Sequence, residues 1–128
     1  MIKIIKSPWL ESTPKDLRGS CGADTEIIKA SVESGAAHLY HMIGGGVDLW
    51  VVTRGEESSC GLELVVCCVG GYGMKKAGEA IKSVAIQNGF NSIRYHSKNA
   101  AVQRLYEKYG IAGVELERVY RLELGGAA

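Results

Sequence analysis

The stretch that decides the fold is Leu62-Glu63-Leu64-Val65-Val66-Cys67-Cys68-Val69-Gly70-Gly71-Tyr72-Gly73-Met74-Lys75-Lys76. Its first half alternates Leu62, Leu64 and Val66 with Glu63, Val65 and Cys67. Both faces are largely apolar, which is the pattern of a central strand covered on each side. After Gly73 the period becomes helical. Met74, Ala77, Ile81, Val84 and Ala85 form one stripe, while Lys75, Lys76, Glu79, Lys82 and Gln87 lie off it. Gly89 is a natural stop. The glycines between strand and helix let backbone amides approach a ligand, and the helix start offers unpaired N–H groups with partial positive charge. A phosphate-bearing guest suits such a junction, and a tight turn suits it as well. The dinucleotide fingerprint GxGxxG is absent, and no Gly-Lys-Ser/Thr follows to make a P-loop.

Working outward, residues 91–97 read as a second strand, so the helix over 73–89 makes a βαβ crossover. The strands it joins should run parallel, with a right-handed connection. On the N-terminal side, 36–43 and 47–53 read as strands joined at Gly44-Gly45-Gly46 into an antiparallel hairpin. Residues 54–59 read as a polar loop. Residues 2–6 form a first strand. Thr13-Pro14 opens a brief helix, and Asp24 caps a second that ends at Gly35. Residues 99–109 predict a helix with Val102, Leu105, Tyr106 and Tyr109 on one face, and 114–124 a single alternating strand. The order is β, α, α, β, β, β, α, β, α, β. It predicts an α/β (α+β) chain with a mixed, mostly antiparallel sheet, a parallel pair at its centre and helices on both faces. One domain over 1–124 with a flexible tail at 125–128 accounts for the length.

The chain has 128 residues, 46% of them hydrophobic and 23% charged, so it can build a core without staples. Its formal charge is +1, without the basic surplus of a nucleic-acid binder, and nucleic acid is not expected as a partner. No apolar run reaches the roughly 18 residues needed to span a bilayer, and the N-terminus lacks a signal-peptide layout, so no membrane is expected. Cys67 and Cys68 would point to opposite faces of a strand, a poor disulfide framework, which favours a reducing, cytoplasmic setting. The four cysteines lack paired CxxC spacing, and His38 and His41 fall on opposite faces, so no metal site is expected. Trp50 and Tyr40 on the hairpin could line an acceptor pocket or simply pack in the core.

One further segment carries a resemblance: Asn99-Ala100-Ala101-Val102-Gln103-Arg104-Leu105-Tyr106-Glu107-Lys108-Tyr109-Gly110. Together with the central strand, glycine loop and following helix, it resembles the GNAT superfamily of N-acetyltransferases over residues 1–124, most strongly between 60 and 112. The resemblance implies a GNAT-like sheet whose parallel strands splay around acetyl-CoA as acyl donor. It places backbone contacts to the cofactor at Cys68 and Val69, and phosphate contacts at Gly71, Tyr72, Gly73, Met74 and Lys75. Asn99 would hydrogen-bond the cofactor arm, and Tyr106 would protonate the departing thiolate as general acid. Glu63, on the central strand, is the carboxylate chosen as base. The loop departs from the family pattern, with Gly70 and Lys75 at its outer positions.

Two function classes follow. The first is an acetyl-CoA-dependent N-acetyltransferase that transfers an acetyl group to a primary amine by direct attack, the acceptor being a small molecule or a protein. The second is a non-catalytic GNAT-fold binding or structural protein, such as a component of a phage particle. Asn99 also serves as a plain helix N-cap, and Tyr106 as a core-edge tyrosine. The alternating last strand suits pairing with a second copy of the chain.

Overall fold

The computed structural model describes residues 1–17, 20–59, 61–96, 114–116 and 119–124. It divides into two compact units, residues 1–54 with 66–77 and residues 55–65 with 78–128, and two long strands contribute to both. The expected helix at 99–109 and the tail at 125–128 lie outside the described residues.

In the first unit, β1 (Lys3–Ser7) is followed by α1 (Thr13–Asp16), a 3-10 turn at Gly22–Asp24 and α2 (Thr25–Ser34). Next come β2 (His38–Gly44), β3 (Val47–Ser58), β4 (Gly61–Tyr72) and the start of α3 (Met74–Gln87). The strands hydrogen-bond in the order β1-β2-β3-β4. β1 runs antiparallel to β2, and β2 to β3, with Gly44 opposite Val47. That register leaves Gly45-Gly46 as a two-residue loop with φ of 61° and 86°. Two positive φ values in succession define the turn whose twist matches a hairpin, and glycine adopts it without a Cβ clash.

The core of this unit gathers Leu17, Cys21, Ala37, Leu39, Val52 and Cys68, with Trp9, Ile28, Val32, Trp50 and Cys67 packed around it. Leu49, Val51 and Val52 are all buried, so β3 is covered on both faces here. Ile28 and Val32 of α2 face that core, while Ile27 stays 67% exposed.

In the second unit the order is β4-β5-β7-β6, with β5 at Ser92–His96, β6 at Val114–Leu116 and β7 at Val119–Glu123. β4 and β5 are the parallel pair, so the fold is α+β with a mixed sheet. β5 and β7 are antiparallel, as are β6 and β7. Val65, Ala85, Ile93, Tyr95 and Leu124 are its buried apolar residues among those described.

Three sequence expectations are corrected. The single strand at 114–124 is two strands, because Val114 pairs with Arg121 and Leu116 with Val119. The parity that sorted those residues into two faces therefore changes between β6 and β7. The polar loop at 54–59 is instead strand as far as Ser58. Polarity there marks solvent and ion pairing, since Glu56 binds Arg94 at 2.9 Å, rather than a break in the ladder. Finally, β4 does not stop at Val69 but runs through the glycines to Tyr72.

Candidate functional site

The end of β4 explains its glycines by what surrounds them. A Cβ on Gly70 would fall on the backbone of Leu17, 2.5 Å from its Cα. One on Gly71 would lie 2.7 Å from Leu49 Cα, and one on Gly73 would lie 2.8 Å from both Gly46 O and Val47 Cα. Real Cβ atoms do not approach backbone that closely, so strand β3 and the residue after α1 exclude any side chain here. Gly71 and Gly73 also hold φ of 127° and 89°. The loop is thereby reduced to Gly73, whose carbonyl accepts the N–H of Ala77 at 2.9 Å and starts α3. The next amides, Met74 to Lys76, have no acceptor within the helix by the geometry of any helix start.

Cys68 is buried, Val69 half-buried, Gly71 and Tyr72 exposed, Met74 half-buried and Lys75 exposed. Lys76 bends back and donates from Nζ to Gly45 O at 2.8 Å, tying α3 to the β2–β3 turn. Asn99 and Tyr106 lie outside the described residues.

A cavity of about 450 Å³ opens beside this junction, lined by Lys15, Asp16, Asp48, Trp50, Gly71 and Tyr72. His41 Nε2 meets Asp48 Oδ1 at 2.7 Å, and its ring stacks on Trp50 at 4.1 Å with planes 6° apart. The hairpin register creates this group, since His41 sits directly opposite Trp50 and diagonal to Asp48. Trp50 both lines this cavity and packs against the core of the first unit, whereas Tyr40 lies against His38 with ring centroids 6.3 Å apart. Asp16, Asp48 and Lys15 escaped the sequence reading. A two-residue turn at Gly45-Gly46 would have revealed the His41–Asp48–Trp50 grouping, because it sets which residues face each other.

Glu63 belongs to the second unit and exposes none of its surface. Its Oε2 accepts from Ser92 Oγ at 2.9 Å and its Oε1 from Arg94 Nη1 at 3.0 Å. Arg94 Nη2 donates in turn to Glu56 at 2.9 Å. The carboxylate chosen as base is therefore a buried acceptor whose two oxygens are both engaged. The thiols of Cys68 on β4 and of Cys21 before the 3-10 turn are shifted in the opposite sense from a reactive cysteine. Burial pushes the Cys68 thiol well above its ordinary range, reinforced by Cys21, and burial also raises Cys21. Among the described residues, no cluster of three or more metal-ligating side chains occurs. No described helix is long and apolar enough to cross a membrane.

No protein-family model matches the chain, and no curated protein sequence matches it. Solved structures do. A chain from Desulfovibrio desulfuricans assigned to the GNAT acetyltransferases superposes with a TM-score of 0.60 at 12% identity, covering 98% of this chain and 100% of that one. An acetyltransferase of the GNAT family from Staphylococcus aureus Mu50 gives 0.59 at 12% identity, covering 97% and 99%. AtaTR bound with acetyl-CoA gives 0.56 at 10% identity, covering 98% and 95%.

Other matching structures correct one expectation. They include an AtaT–AtaR complex bound to DNA, a KacTA–DNA complex and AtaT complexed with acetyl-methionyl-tRNAfMet. Proteins of this shape thus occur with nucleic acid, and the near-zero net charge of this chain does not exclude such a partner. Net charge averages over the whole surface, whereas a phosphate backbone meets only one patch of it. From β1 through the β6–β7 hairpin, the chain has the fold of the GNAT acetyltransferases.

Proposed function

We propose that the protein is an acetyl-CoA-dependent acetyltransferase that moves an acetyl group to a primary amine by direct attack. The observation that carries this reading is the coverage of the match. Acetyltransferase structures align over nearly the whole chain, and one of them was solved with acetyl-CoA bound. The residues fit the donor in a limited way. The amides at Gly73 to Lys75 open α3, and Lys75 is exposed beside them to meet phosphate charge. Acetyl-CoA, when bound, supplies the activated thioester. Cys68 and Val69 would hold its arm through their backbone, Gly71, Tyr72 and Met74 would border the phosphates, and Asn99 would bond the arm. Tyr106 would protonate the thiolate as it leaves. Glu63, held by Ser92 and Arg94, serves this reading better as a fixed brace of β4 against β5 than as an exposed proton acceptor. The cavity beside Asp16 and Asp48 suits the ammonium of the acceptor, and the faces of Trp50 and Tyr72 add cation–π attraction.

The second reading is a GNAT-fold protein without catalysis. One observation favours it: β4 stays strand to Tyr72, and backbone packing occupies the space around Gly70, Gly71 and Gly73. Fewer amides then remain to receive a pyrophosphate.

Calorimetry with acetyl-CoA and with CoA, paired with thermal melts, separates the two. A ligand that binds only the folded state raises Tm progressively with its concentration. Absence of heat and of any Tm shift at millimolar ligand would sink the enzyme reading. Given binding, Tyr106→Phe should lower kcat while leaving acetyl-CoA affinity nearly unchanged.

A further inference from the structure

Cys21 and Cys68 lie 47 positions apart in sequence, yet their Sγ atoms are 2.6 Å apart in the core of the first unit. Neither is in a disulfide, and their residues are 7% and 3% exposed. The geometry points to a redox modification site: we infer that a peroxide oxidises this pair to an intramolecular disulfide. Adjacent Cys67 is half-buried against the same core, and Cys67→Ser separates its contribution from that of Cys68.

The chemistry balances with hydrogen peroxide as the oxidant. Cys21, the more exposed thiol, attacks a peroxide oxygen; an S–O bond forms, the O–O bond breaks and water leaves. Cys68 Sγ then attacks the sulfenic sulfur. An S–S bond forms, the S–O bond breaks, and a second water carries away the remaining proton. Two thiols are oxidised and one peroxide is reduced. The raised thiol pKa values make the first step slow, so the pair resists casual oxidation and yields only to sustained peroxide.

The position gives the bond a consequence. Cys21 follows α1, whose Lys15 and Asp16 line the cavity, and Cys68 precedes Gly71 and Tyr72, which line it from β4. Leu17 already presses its backbone on Gly70 between them. A Cys21–Cys68 bond fastens these two walls together and removes freedom from the unfolded chain.

The test uses the full chain, reduced with dithiothreitol and then exposed to hydrogen peroxide without denaturant. Peptide mapping under non-reducing conditions should recover a Cys21–Cys68 linked peptide. Tm should rise by on the order of 10 °C and fall back on reduction. Amide exchange should slow at residues 15–17 and 70–72 in the oxidised form. Cys67→Ser should retain all three effects, and Cys21→Ala should lose them. If Cys21→Ala does not fold, the wild-type map still decides. A linkage through Cys67 or Cys60, sulfinic acid without linkage, or unchanged thiols overturns the inference.

Discussion

Arg94 Nη1 donates to Glu63 Oε1 across 3.0 Å, and Glu63 has no exposed surface at all. A lone carboxylate in that position would carry a large desolvation cost, so the pair stands or falls together. Its setting also separates two roles for the same residue. In Glu63→Gln, Arg94 keeps only Glu56 as a carboxylate partner among the contacts described above, and stability should fall by about 3 kcal/mol. Urea unfolding monitored by fluorescence measures this as a lower midpoint at unchanged slope. A catalytic base would instead lose kcat with its unfolding midpoint intact.

Glycines of the β2–β3 turn and of β4 should respond unequally to alanine. Gly46→Ala meets open space and bears only the cost of its positive φ, about 1 kcal/mol. Gly71→Ala adds a collision with the backbone of Asp48 and Leu49, and should cost 3 kcal/mol or roughly that. Thermal melts of the two variants check the ranking. Equal losses would mean that the backbone of β3 yields to a Cβ at Gly71.

Alkaline pH should weaken the fold through the buried thiols. Cys68 and Cys21 have folded pKa values above their unfolded ones, so the folded state keeps its protons longer. Their stabilisation is complete below the unfolded thiol pKa of about 8.5 and is lost as pH rises from there towards the folded values. Each thiol contributes a slope of up to about 1.4 kcal/mol per pH unit in that range. Cys68→Ala should flatten the decline between pH 8.5 and 10.5, roughly, when chemical unfolding is measured across that window.

The cavity beside Asp48 can be probed apart from turnover. Spermidine titrated into the chain should bind through the carboxylates of Asp16 and Asp48 and the face of Trp50. Asp48→Asn should weaken that binding about tenfold. The His41–Asp48 pair is partly exposed, so the same change should cost less than about 1 kcal/mol of stability. Calorimetry and a melt on one sample distinguish lost binding from lost folding. Unchanged affinity would remove Asp48 from the site.

Much of the fold was legible because it is written in local periods. The change from alternation over 62–69 to helical spacing after Gly73 located β4 and α3, and Gly44-Gly45-Gly46 marked the hairpin. Boundaries failed where local signal and pairing diverge. Polar residues 54–58 stay in β3, Gly70 and Gly71 stay in β4, and the uniform alternation of 114–124 hides a reversal of direction.

The site was less legible, since its members meet only through pairing. Sequence spacing compared His41 with His38, whereas the strand register delivers it to Asp48 and Trp50. Glu63 looked like an available carboxylate until Ser92 and Arg94 on β5 took both oxygens. Cys68 looked like half of an unhelpful Cys67–Cys68 pair, and its neighbour proved to be Cys21. By itself, then, the sequence determined the order of elements from β1 through β5, the hairpin and the βαβ unit, because backbone period and turn chemistry act over a few residues. The tertiary structure decided why the glycines at 70, 71 and 73 must be glycines. Their Cβ positions are filled by Leu17, Asp48 and Val47, residues brought there from distant parts of the chain.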